Sequence, residues 1–167
     1  MLRLSAIVYT AFAALCVCFG ILQTACHRHA NSSVTTSAAI DTLVLERTSC
    51  FGRCPVYEFT ITSDGKAHLN GVAYYDKVGI YEKQFKAAET AAVFEAFAKS
   101  NFFTWKDVYT APISDMPTVY LTFATKGKHK RIKDYYSPPA ELTALEKLLT
   151  ALVDSKGGWT KTGEIMR

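Results

Sequence analysis

Cys50 and Cys54 stand four apart in RTSCFGRCPVYEF, residues 47 to 59, with Gly52 midway between them and Pro55 directly behind. Three chemistries use cysteines at close spacing: metal ligation, thiol–disulfide exchange and a covalent staple. A closed metal site takes three or four fixed ligands, and no second Cys or His pair lies nearby to complete one. Thioredoxin-like centres use C-x-x-C at the start of a helix, where the dipole acidifies the thiol. Here the spacing is longer, and Pro55 leads into a strand pattern. A staple fits both features, because Gly52 supplies the turn that brings the sulfurs together. The entropy of closing so short a ring gives roughly 2 kcal/mol, so such a staple mainly shapes its loop. A structural Cys50–Cys54 disulfide is the favoured reading, and a thiol–disulfide redox protein using the same pair is its rival.

Other candidate chemistry is sparse. No nucleophile elbow, P-loop, dinucleotide fingerprint or H-E-x-x-H occurs, so no cofactor is expected. His68 lies in a strand pattern and His129 in a basic turn, each without a catalytic companion. Asp115, before Met116-Pro117, reads as a turn former. Lys126, Lys128, Lys130, Arg131 and Lys133 form a basic run on a predicted hairpin. It reads first as a solvated face, and as a functional patch it would meet anionic lipid headgroups or phosphorylated glycans.

The charge pattern and the N-terminus address the compartment. The 167 residues carry a net charge of +4. Every acid lies at or after Asp41, and setting aside Arg3 and Arg28 leaves seventeen bases against fifteen acids. Such near-neutrality argues against nucleic-acid binding, which needs a clear positive excess. Leu4 to Leu22 is uncharged and follows a positive start, with a length between a signal peptide and a spanning helix. ILQTAC, ending at Cys26, resembles the lipobox of bacterial lipoproteins, although Gln23 replaces the usual aliphatic residue. The resemblance implies a signal peptide over residues 1–25, lipidation of Cys26 (a palmitate-bearing anchor) and placement in the bacterial cell envelope, facing the periplasm or exterior. An uncleaved inner-membrane signal anchor is the alternative.

Residues 26–39 lack periodicity and are rich in Ser, Thr and Ala, so they read as a flexible tether. Lipidation would occupy Cys26, leaving His27 and His29 as a poor metal site. Asn31-Ser32-Ser33 matches a glycosylation acceptor, a chance match beside a bacterial-type signal. Cleavage before Cys26 also resolves the cysteine count. Of five cysteines it removes Cys16 and Cys18 and modifies Cys26, leaving Cys50 and Cys54 as an even pair in an oxidising compartment.

The remaining residues, 40–167, read as one domain, with ten Phe, nine Tyr and two Trp in the chain to supply its core. Residues 40–47 and 56–62 alternate with period two, and Tyr57, Phe59 and Ile61 mark the face to bury. Asp64-Gly65 is a tight-turn signal, so residues 67–75 should return antiparallel. Residues 79–85 make a fourth strand. A helix follows over 87–100, with Ala91, Phe94, Phe97 and Ala98 at helical spacings. Phe102, Phe103 and Trp105 read as a core-closing aromatic run. Residues 118–125 and 130–136 are two further strands. Ser137 reads as an N-cap with Pro138 at the first helical position. The last helix carries Leu142, Leu145, Leu148, Leu149, Leu152 and Val153, and Gly157-Gly158 end it. The expectation is an α+β domain in β-β-β-β-α-β-β-α order, an antiparallel sheet with two helices packed on one face.

R-T-x-C-F-G-x-C-P-x-Y, here Arg47 to Tyr57, resembles the signature of an uncharacterised bacterial domain-of-unknown-function family found on envelope lipoproteins. The similarity continues through Asp64-Gly65, Phe102-Phe103, DMPT at Asp115 to Thr118, and Trp159. It implies an α+β domain and no known activity. Together the residues lead to a membrane-tethered envelope lipoprotein, a non-enzymatic binding or structural module. Its expected partners are the membrane through the lipid anchor and an envelope protein, glycan or anionic lipid.

Overall fold

The computed structural model describes residues 40–165. The stretches expected to be a signal peptide (1–25) and a tether (26–39), with Cys26, lie outside the described residues. In chain order the elements are β1 (Thr42–Arg47), β2 (Val56–Thr62), β3 (Lys66–Ala73), β4 (Gly79–Gln84), α1 (Ala87–Lys99), a 3-10 turn (Phe102–Thr104), β5 (Val108–Tyr109), β6 (Val119–Thr125), β7 (Lys128–Asp134), α2 (Ala140–Val153) and β8 (Thr160–Gly163). All eight strands join one sheet in the order β5-β7-β6-β1-β2-β3-β4-β8. The fold is α+β and mostly sheet, as the alternating patterns implied.

Period-two alternation sets the two faces of that sheet. Leu45 on β1 pairs with Phe59 and Leu121, Phe59 pairs with Leu69, and Leu121 pairs with Ile132. All five side chains are buried and form one apolar row across five strands. Both helices cover this face. Phe97 of α1 packs 5.5 Å from the Phe123 ring, and Thr150 of α2 accepts a hydrogen bond from Arg47 on β1. The 3-10 turn inserts the fully buried Phe102 against Phe97 and Phe123, as expected of a core-closing aromatic run. Among the described residues no helix lies over the opposite face, which carries Thr60, His68 and Glu82.

Asp64 and Gly65 close the β2–β3 hairpin, with Gly65 at φ +88°. A Cβ there would sit 2.4 Å from the Phe85 carbonyl oxygen, so only glycine lets the β4–α1 junction approach. At the start of α1 the Lys86 N–H donates to Glu89 Oε2 at 2.8 Å, giving one orphan amide a partner.

The structure corrects the sequence reading in five places. The sheet is mixed, because β5 runs parallel to β7. It also gains an edge strand, β8, after the last helix, so the order does not end in α. Ser137 is not an N-cap. It adopts φ +53°, and α2 starts only after Pro138 and Pro139, since a residue before proline is pushed out of the helical region. The buried stripe of α1 is Thr90, Val93 and Phe97, leaving Ala91 and Ala98 exposed. In addition α2 stops at Val153, ahead of Gly157 and Gly158, which serve the turn into β8.

Candidate functional site

The β1–β2 connection is closed by a disulfide between Cys50 and Cys54, with Cα atoms 5.7 Å apart. Gly52 adopts φ +152°, and its N–H donates to the Cys50 carbonyl at 2.9 Å. A Cβ at Gly52 would meet nothing nearer than the Cys50 sulfur at 3.9 Å, so the need for glycine is conformational. The ring that results has no interior for a side chain, and Phe51 points outward, 89% exposed. Pro55 leads into β2, so a strand and not a helix follows the second cysteine.

Neighbouring loops hold this ring in place. The Thr48 N–H donates to the Thr118 carbonyl and the Thr118 N–H to Thr48 Oγ1, each at 3.0 Å. The Phe51 N–H reaches the Asp115 carbonyl at 3.5 Å. Asp115 takes φ +71°, the turn-forming geometry its sequence context implied. Tyr135 Oη donates to the Ile113 carbonyl at 2.8 Å and accepts from the Met116 N–H at 3.4 Å. Ile113 and Met116 are more than two-fifths exposed. One end of the sheet thus presents Phe51, Met116 and Ile113 on loops tied by a disulfide and backbone hydrogen bonds. Isolated exposed apolar residues are ordinary, but a rigid group of them is a feature of interaction surfaces.

A second constellation lies beneath α2. Arg47 and Tyr57, the first and last residues of the RTSCFGRCPVY stretch, pair across β1 and β2 on the buried face. Arg47 donates to Thr150 Oγ1 at 3.3 Å, and Glu146 sits one turn earlier on α2. The Glu146 carboxyl meets that of Asp134 on β7, and burial, followed by the Asp134 charge, pushes its pKa up to about 8. Asp134 is raised as well, first by burial, with the Arg47 charge opposing. Burial also raises the Tyr57 phenol.

The C-terminal end of α2 is held from the β3–β4 side. Tyr75 Oη lies 2.9 Å from an Asp154 carboxylate oxygen, and Lys77 donates to the Val153 carbonyl at 3.2 Å. Lys83 donates to Ser155 Oγ at 2.7 Å, and burial lowers the pKa of its ammonium. These cations complement the negative end of the helix dipole.

The basic run does not form one patch. Ile132 is fully buried, so Lys130, two residues away, also points inward. Lys130 pairs with Asp107 at 2.8 Å and bonds the Trp105 carbonyl, with only 14% of its side chain exposed. Lys128 lies over the Phe103 ring. Arg131 is on the open face, paired with Glu46 at 2.6 Å and 4.1 Å from the Tyr120 ring centroid. Lys133 approaches Tyr135, and Lys126 occupies the turn at φ +47°. The hairpin's charge is therefore divided between an interior cation and scattered exterior ones.

His68 faces Glu82 across β3 and β4 on the open face, and His129 is exposed on β7. A shallow groove of about 810 Å³ runs over that side, lined by Thr60, Thr62, His68, Glu82, Thr160 and Thr162. Among the described residues, no three His, Cys, Asp or Glu side chains gather to hold a metal. Among the same residues no helix is long and apolar enough to cross a membrane.

Sequence reasoning missed Phe51, Glu146 and the Asp134 contact. A signal existed for each acid: Glu146 falls within the Leu142, Leu145, Leu149 stripe, and Asp134 shares the parity of Ile132. No curated protein matches the chain. Residues 41–153, from β1 through α2, match the family described as a domain of unknown function, DUF6438, and the chain belongs to that family.

Proposed function

We propose that this chain is a membrane-tethered lipoprotein of the bacterial cell envelope and a non-enzymatic binding module, engaging another envelope protein through the loop that Cys50 and Cys54 close. The observation that carries this reading is Phe51, 89% exposed at the tip of that ring. An aromatic ring presented on a pre-ordered loop loses little conformational entropy on docking and supplies a large apolar contact. Met116 and Ile113 widen the contact, and Arg53 adds a cation within the ring. The lipobox-like ILQTAC stretch supports the tether, and an even pair of cysteines suits an oxidising compartment. In this reading the disulfide is the scaffold of the contact, and thiol exchange has no part in it.

The test places a photo-crosslinking residue at position 51 of the full chain in a bacterial host. A discrete protein adduct, lost when Cys50 and Cys54 are both replaced by Ser, is the expected result. Absence of any adduct, or the same adducts from a probe at Thr160 on the open face, would sink the proposal.

A further inference from the structure

Glu146 is the acid that the fold buries most deeply. It is 6% exposed, lies within the apolar stripe of α2 and leaves its Oε1 without a hydrogen-bond partner. Its carboxyl meets Asp134 on β7. β1 contributes Arg47, whose Nε is also buried and unpartnered and whose terminal nitrogen is engaged by Thr150. From β2 comes the Tyr57 phenol, which also feels the Asp154 charge at the end of α2. Tyr75 lies beyond it, 5.0 Å from the Tyr57 ring. The cluster therefore offers two carboxyls and one cation, and that cation's hydrogen bond goes to a threonine.

With one proton on the pair, Asp134 and Arg47 balance in charge and Glu146 donates to Asp134. Loss of that proton to solvent leaves two carboxylates in contact beside a single guanidinium, the Glu146 one buried and the Asp134 one half-buried. Two carboxylates in contact repel, and the buried Glu146 one cannot be solvated in place. Glu146 is flanked on its helix by the buried Leu142, Leu145 and Leu149, so lifting of α2 would bring its carboxylate to water.

We propose that the Asp134–Glu146 contact is a proton-dependent latch between α2 and the sheet, closed while one proton is shared and loosened when both carboxyls ionise. Tyr75, Lys77 and Lys83 hold the C-terminal end of α2 through groups outside the pair, so the loosened helix remains attached at that end. The latch is independent of what Phe51 binds.

The experiment follows amide hydrogen exchange of the full chain across pH, with rates normalised for their intrinsic pH dependence. Opening of α2 should increase at least about tenfold between about pH 6 and about pH 9, with β2 and β3 unaffected. Glu146→Gln still donates to Asp134 and cannot ionise, so its α2 opening should not depend on pH. Constant opening in the unmodified chain, or a pH dependence retained in E146Q, overturns the latch. Should E146Q fail to fold, the carbon-13 carboxyl shift of Glu146 in the unmodified chain decides. A titration step well above the ordinary carboxylate range supports the latch, and one within that range overturns it.

Discussion

Arg47 and Tyr57 face each other across β1 and β2, at the two ends of the loop that Cys50 and Cys54 close. Their position explains why a disulfide of short span has a use here. The strand pair fixes the base of the loop and the sulfurs fix its top, so the backbone that carries the exposed Phe51 is held. Arg47 also reaches Thr150 of α2, so the base of the loop is joined to the helix layer. Phe51, the most exposed aromatic among the described residues, is thus joined through the strand pair to the cluster beneath α2.

Replacing both Cys50 and Cys54 by Ser should lower unfolding free energy by about 2 kcal/mol, the entropy expected for so short a ring. Urea denaturation measures this, and far-UV circular dichroism should stay native because the core lies elsewhere. Alkylation of the unmodified domain should find no free thiol before strong reduction. A thiol ionising far below its usual range after mild reduction, with no stability loss in the Ser variant, would restore the redox reading.

Phe51→Ala should leave unfolding free energy within about 0.5 kcal/mol of the parent, because an exposed side chain contributes little burial. Phe59→Ala, by contrast, empties a fully buried site and should cost about 3–5 kcal/mol. A large loss in the Phe51 variant would mean that its ring packs within the domain and does not wait for a partner.

Global stability should fall with alkalinity. The Glu146 pKa rises from its ordinary 4.5 to about 8 on folding. Its contribution is therefore complete below about pH 4.5 and is lost as pH climbs toward 8, because the unfolded chain releases the proton first. The raised Asp134 acts in the same direction. Urea midpoints measured across this window should decline for the parent and hold nearly constant for E146Q.

Lys130→Gln should destabilise by about 2 kcal/mol, because it removes charged hydrogen bonds to the Trp105 carbonyl and Asp107. Arg131→Gln, on the outer face, should cost at most about 1 kcal/mol, the usual range for a solvated pair. Equal costs for the two would contradict the division of the hairpin into interior and exterior cations.

Cys26→Ala should leave a heavier, unlipidated precursor that partitions differently from the parent. Mass spectrometry and detergent-phase separation of bacterial membranes report both properties. An unchanged mass and partition would favour an uncleaved signal anchor.

Where burial follows the strand or helix period, the fold is legible in the residues. Tyr57, Phe59 and Ile61 alternate, and all three are buried. The four-residue TKTG of β8 has no apolar alternation to read. Trp159 directs it instead, packing edge-on against Phe59 and Phe85 and thereby placing the following residues beside β4. Trp159 also lies beyond residue 153, where the family match ends. β5 is two residues long and is defined by its partner, β7. The disulfide ring could be read from two cysteines and a glycine. The rest of that surface could not, because Ile113 and Met116 reach it through Tyr135, far along the chain. The division of the basic run follows from parity, which a count of charges leaves out. Once Ile132 is assigned to the core, Lys130 must follow it inward.

The position of β1 in the sheet has a kinetic consequence. It pairs with β2 across a short loop but also with β6, where Leu45 meets Leu121. The β1–β4 meander can assemble from local contacts, and Cys50 and Cys54 lie within it, so their oxidation need not await the distant pairing. Until the β6–β7 hairpin arrives, β1 carries an open edge that can pair with other chains. The slow step in maturation should therefore be docking of the C-terminal half, and destabilising that hairpin should raise aggregation before it lowers the melting temperature.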